Sequence, residues 1–178
     1  MRLRSLIACT AAIAAAVAAV PAHAADGTGT ANATVVRPIA IGNSSPHLRF
    51  GSFSTSGAGQ TVAIATDGQR TLTGVLGVSN SQNAFGAASF SVTGEAGLTY
   101  SITLPTSVNI TTGGGSGPET MAVSSFVSNP SGTGTLSGTA GSNSAGAQTL
   151  LVGATLTTVA SQATGTYTGN FTVTVQYD

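Results

Sequence analysis

Along most of the chain apolar and polar residues alternate with a period of two, the spacing of a half-buried β-strand rather than of an amphipathic helix. In Tyr100-Ser101-Ile102-Thr103-Leu104 every second residue is apolar. The same pattern predicts strands over residues 34–41, 61–65, 71–78, 88–93, 98–104, 121–127, 149–159 and 166–177. Gly, Ser and Thr recur too often beyond residue 24 for a helix of about ten residues to form. Asp67-Gly68 is predicted to be a tight hairpin turn between two strands. Residues 111–118 and 128–148, built largely from Gly, Ser, Thr, Asn and Ala, read as loops. The second is long for a compact domain, so a short strand around 135–137 is an alternative there. About eight strands, no helix and no fixed-period repeat predict an all-β fold, a two-sheet antiparallel β-sandwich with Greek-key connections.

The first 24 residues break the pattern. Arg2 and Arg4 precede an apolar run over 6–20, and Pro21-Ala22-His23-Ala24 ends in an A-x-A cleavage site. This is the layout of a cleavable secretory signal peptide cut after Ala24. A membrane anchor needs about 20 apolar residues, and this run is shorter, alanine-rich and closed by a proline. Cleavage before Cys9, as in a lipoprotein, would leave no hydrophobic region ahead of the cysteine. No later apolar run is long enough to span a bilayer, so the mature chain is expected to be exported and to carry no membrane span. The expected organisation is a leader (1–24), an N-terminal extension or first strand (25–41) and the sandwich (42–178).

Removing the leader leaves 154 of the 178 residues, without cysteine or lysine, and three arginines against five carboxylates. Three scattered arginines cannot form the basic stripe that neutralises phosphates, which excludes a nucleic-acid binder. Catalysis finds little to work with. His47 has no other His or Cys in the mature chain to share a metal, and it reads as a turn residue. Glu95 and Glu119 lie in glycine-flanked segments and read as solvated turn carboxylates rather than an acid/base pair. Residues 113–118 are glycine-rich but lack the Lys-Ser/Thr of a phosphate loop. No catalytic, metal or cofactor site is expected, and the chain is read as a non-enzyme.

The C-terminus carries the most specific pattern. From Gly165 the sequence runs to Asp178 with Phe171, Val173, Val175 and Tyr177 on one face and Thr172, Thr174 and Gln176 on the other. The alternation reaches the chain end, a tyrosine is penultimate, and Gly165 is fourteenth from the end. This resembles the C-terminal signature of pilin subunits assembled by the chaperone-usher route. Leu48-Arg49-Phe50-Gly51, Phe90-Ser91-Val92-Thr93-Gly94, Tyr100-Ser101-Ile102-Thr103-Leu104-Pro105 and the Gly165 ending occur in an order similar to that of a family of bacterial secreted domains of unknown function. Those domains are related in appearance to spore coat protein U fimbrial domains. The absence of cysteine beyond the predicted leader departs from the many pilins whose first strands are joined by a disulfide.

The resemblance implies a pilin-like, immunoglobulin-like sandwich that lacks its last strand. It implies a structural subunit of a cell-surface fimbria, assembled by donor-strand exchange with other copies or neighbouring pilus subunits. A periplasmic chaperone and an outer-membrane usher would handle it in transit from the periplasm to the surface fibre. In those terms Phe171, Val173, Val175 and Tyr177 pair with the partner strand and Gly165 allows a bend or close approach before them. Ala33, Val35, Ile39 and Ile41 are the candidate donor residues; Arg37 and Pro38 interrupt their face, so part of this run reads equally as the domain's own edge strand. The alternative function is a self-complete secreted adhesin or binding domain that reads a ligand with its long loops.

Overall fold

Ala88, Phe90 and Val92 alternate towards the interior of a single strand whose last residues, Gly94 and Glu95, are also buried. It is one of two strands around which the fold is built. The computed structural model describes residues 24–55, 57, 59–78, 84–113 and 119–178. Residues 1–23 of the predicted leader and the glycine-rich 114–118 lie outside the described residues. Val35–Asp178 forms one compact unit. Its strands are β1 (Ala40–Ser45), β2 (Arg49–Phe50), β3 (Ser52–Ser54), β4 (Thr61–Ile64), β5 (Arg70–Thr73), β6 (Leu76–Val78) and β7 (Phe85–Gly86). They continue as β8 (Ala88–Glu95), β9 (Thr99–Thr103), β10 (Ser107–Thr111), β11 (Thr120–Asn129), β12 (Thr133–Thr135), β13 (Ala145–Thr157) and β14 (Thr174–Tyr177). Among the described residues there is no helix.

The long strand β13 organises the larger sheet. One of its edges pairs first with β8 (Ala145↔Glu95 to Val152↔Ala88) and then with β4 (Ala154↔Ile64 to Thr157↔Thr61), while the other edge pairs with β11. β1, β5 and β10 extend this sheet beyond β8, β4 and β11. A second sheet, β12-β9-β14, ends on the C-terminal strand. All the pairings are antiparallel, and the architecture is an all-β, sandwich-like fold.

Two apolar clusters fill the interior. Ala88, Phe90, Val92, Leu150 and Val152 from β8 and β13 meet Tyr100 of β9 and Leu136, with Val175 and Tyr177 packed against them. Val62, Val75, Met121, Val123, Ala154 and Leu156 form the second, against which Phe50, Phe53 and Leu72 pack. Leu48 and Phe126 touch both. Each fully buried aliphatic side chain contributes about 1.5–3 kcal/mol over its exposed state, so these clusters hold a domain that has no cysteine among its described residues.

The structure redraws several predicted elements. The strand expected over 34–41 is β1, displaced to Ala40–Ser45, and that expected over 71–78 breaks at Gly74 into β5 and β6. The segment 128–148 holds the end of β11, the start of β13 and the short strand Thr133–Thr135. Of residues 166–177 only Thr174–Tyr177 forms a ladder, although half-buried and exposed residues alternate from Phe171 to the end as expected. The Asp67-Gly68 turn is present: Gly68 has φ 82 and donates to the Ala65 carbonyl at 2.9 Å, closing the β4–β5 hairpin. Alternation fails inside β11, where Met121 and Val123 point inward but Val127 is 49% exposed. The ladder to β13 shifts register between Ser124 and Val127, with Ser125 at φ 51. This bulge inverts the phase of the strand and turns Phe126 into the core in place of Val127.

Candidate functional site

The phase change at Ser125 gives one concave surface of the molecule an aromatic floor. A groove of about 1460 Å³ runs over Val108 and Ile110 of β10, Met121 and Val123 of β11, and Phe126. Phe171 also lines it, its ring 5.5 Å from that of Phe126 and 6.1 Å, edge-on, from that of Phe90. Residues 46–55 form one bank and residues 162–171 the other, so an early and a late segment of the domain flank the opening. Among the described residues no ladder joins the banks.

The banks are held differently. On the C-terminal side Thr111 and Thr168 exchange two backbone hydrogen bonds, at 2.9 and 3.0 Å. The Tyr167 hydroxyl donates to the Ala163 carbonyl at 2.7 Å and accepts from the Gln162 amide at 2.9 Å, and the same amide donates to the Thr120 carbonyl. The N-terminal bank contains only the short strands β2 and β3, paired with β7 and β6 outside both main sheets. Its exposed side chains include His47 and Arg49, and no carboxylate lines the groove among the described residues.

Where the two chain ends meet the end of β8, a polar clasp forms. Glu95 is buried, and its Oε2 accepts from the Arg37 guanidinium at 3.0 Å and from the Arg37 backbone N–H at 3.4 Å. The Glu95 N–H donates to the Tyr177 hydroxyl at 2.7 Å, which in turn donates to the Arg37 carbonyl at 3.0 Å. Gly94 makes room for this: a Cβ there would lie 2.1 Å from the Tyr177 oxygen. Sequence reading took Glu95 for a solvated turn carboxylate, and the structure corrects it. The carboxylate is compatible with burial because both its charge and its oxygen are matched by Arg37, a residue 58 positions away. No local pattern announces a partner at that separation. Next to the clasp, Tyr100 stands opposite Tyr177 in the β9–β14 register and donates to Gln148 Oε1 at 2.8 Å. Burial raises the pKa of its phenol.

The residues singled out from sequence fall into three places. Val175 and Tyr177 lie on β14, an edge strand with its outer side unpaired in the sheet order. Phe171 and Val173 precede it outside any strand and pack against the first cluster, and Phe171 also forms the floor of the groove. Gly165, at φ 153, lines the C-terminal bank. Ala24 and Ala33 are exposed, and Val35 is 89% exposed. Ile39 packs against the first core cluster and Ile41 lies in β1 opposite Val92, so both are built into their own domain. Their place there follows from the β8 edge, whose free backbone groups β1 pairs. His47 and Glu119 are exposed, and no group of three His, Cys, Asp or Glu side chains converges among the described residues. Phe126 and Phe90 were not anticipated at the site, since the bulge that aims Phe126 has no signal in the alternation. Among the described residues no helix is long and apolar enough to cross a membrane.

Residues 39–177 match a family described as "Domain of unknown function (DUF4402)". No curated protein and no solved structure matches significantly.

Proposed function

The chain belongs to the DUF4402 family, and from that premise we propose that it is a strand-accepting structural subunit of a cell-surface fibre. The observation that carries this reading is the groove, a trough with an apolar floor between two backbone banks that no ladder joins among the described residues. Strand addition suits such a trough, because main-chain hydrogen bonds supply affinity and alternate side chains set register. The occupant is the N-terminal extension of a second copy. Every residue from 24 to 38 is exposed. Fully extended, residues 25–36 reach roughly 40 Å, more than the ten residues of the bank 46–55 can span, which is at most about 33 Å. The extension carries one charge before Arg37, Asp26, and the bank offers Arg49. With Ile39 and Ile41 in their own domain, the donor stretch ends at Val36, and Ala31, Ala33 and Val35 are its inward residues. The first 24 residues act as a leader, so that cleavage exposes the donor. A periplasmic chaperone covers the groove until an outer-membrane usher hands the subunit on, and the sandwich is of the immunoglobulin-like, one-strand-short type of fimbrial subunits.

Polymerisation of the exported chain tests this. Deleting residues 25–36 is expected to abolish self-assembly while leaving the far-UV circular dichroism unchanged, and a synthetic 25–36 peptide is expected to cap growing polymers of the intact chain. Continued polymerisation of the deleted chain would overturn the assignment.

A further inference from the structure

Among the described residues the strands of the N-terminal bank pair only in two short ladders. β2 offers Arg49 and Phe50 to β7, and β3 offers three residues to β6. Neither β6 nor β7 pairs with a strand of the main sheets. Between β2 and β3 Gly51 turns the chain with φ 72. A side chain of the large sheet spans both short pairs. Arg70, on β5 of the large sheet, donates from Nη1 to the carbonyls of Phe50 (3.1 Å) and Ser52 (3.2 Å), on either side of Gly51. Its Cζ lies 4.4 Å from the centroid of Phe85 on β7. It also crosses Gly77 of β6, where a Cβ would come within 3.0 Å of Nη2. Arg70 thus links the large sheet to all four short strands at once.

We propose that Arg70 is the positioning residue of the groove, holding residues 49–54 at the spacing a partner strand requires; the inference rests on the strand-accepting reading above. The task suits arginine. A planar guanidinium satisfies two carbonyls and stacks on a ring at the same time, whereas a lysine ammonium is a point charge with no face to stack. Leu48, Phe50 and Phe53 pack on the second core cluster through their own side chains, so loss of Arg70 is expected to loosen the bank without unfolding the domain.

The test compares the exported chain with Arg70→Met and Arg70→Lys by amide hydrogen exchange and by fluorescence anisotropy of a labelled 25–36 peptide. Arg70→Met is expected to speed exchange at 49–54 at least tenfold, leave β8 and β13 unchanged, and raise the peptide dissociation rate at least tenfold. Arg70→Lys should restore exchange and binding only in part. Exchange at 49–54 unaltered in Arg70→Met, or accelerated equally in β8 and β13, overturns the proposal. If Arg70→Met does not fold, Phe85→Leu replaces it, with a threefold or greater local acceleration expected and none overturning the proposal. A peptide that fails to bind the unaltered chain overturns the strand-accepting reading instead, and exchange alone then decides whether Arg70 pins the bank.

Discussion

Replacing Tyr177 by Phe removes one oxygen atom at the second-last residue of the chain, yet that oxygen holds two hydrogen bonds and joins three segments. The Glu95 N–H that it accepts belongs to a residue only 3% exposed, so little water can replace it. The Arg37 carbonyl that it donates to is reached by solvent and is readily hydrated. A net hydrogen bond contributes about 1 kcal/mol, and a stranded buried N–H costs about 1–3 kcal/mol. Weighting the two bonds by their exposure gives a destabilisation of about 1–2 kcal/mol, or a Tm lower by roughly 3–8 °C for a domain of this size. Gly94→Ala tests the same atom from the other side. The new methyl would sit 2.1 Å from the Tyr177 oxygen and 2.9 Å from Leu136 Cδ1, an overpacking that costs about 1–3 kcal/mol. Deleting the hydroxyl relieves the closer of these clashes. The double variant is therefore expected to be less destabilised than the sum of the single ones by about 1 kcal/mol. Urea unfolding followed by far-UV circular dichroism measures all three, as the chain has no tryptophan. Additivity within about 0.3 kcal/mol, the behaviour of independent sites, would refute the close approach on which the clasp depends.

Two further outcomes concern the core. The Tyr100 phenol is raised above its ordinary pKa by burial, so the folded state holds its proton more tightly than the unfolded state does. Its contribution to stability is complete below about pH 10 and is lost as pH rises through the folded value; urea midpoints should fall above pH 10 and fall less in Tyr100→Phe. Leu150→Ala, at a fully buried position facing the second sheet, should cost about 2–5 kcal/mol, read as a shift in urea midpoint without a change in slope.

How far the sequence discloses this molecule depends on whether a feature is local. The period-two pattern from Phe171 to Tyr177 reports which side of the chain faces the core, and burial follows it there residue by residue, while at 100–102 Ser101 is as half-buried as Ile102. Asp67-Gly68 announces its hairpin because the turn chemistry resides in the two residues themselves. The clasp is not local. Nothing near Glu95 indicates that Arg37 and Tyr177, 58 and 82 positions away, will meet it. β2, β3 and β7 are two or three residues long, below the length at which alternation can be recognised. The groove floor was hidden for a further reason, since a single extra residue at Ser125 exchanges the faces of β11. Arg70 has no acidic partner or motif to mark it; its role comes from two carbonyls and a ring brought together by the fold.

The central claim is that residues 25–36 of one copy lie between the banks of another. Cys9 is the one cysteine of the sequence, so a chain that begins at Ala25 has no thiol, and Ala33→Cys provides a single attachment point for a photoactivated crosslinker at an exposed position. Assembling this variant with an isotope-labelled unmodified chain, irradiating the polymer and sequencing the crosslinked peptides locates the extension directly. The account predicts crosslinks to residues 46–55 and 162–171 of the labelled copy. Crosslinks confined to the same copy, or to surfaces away from both banks, would contradict it.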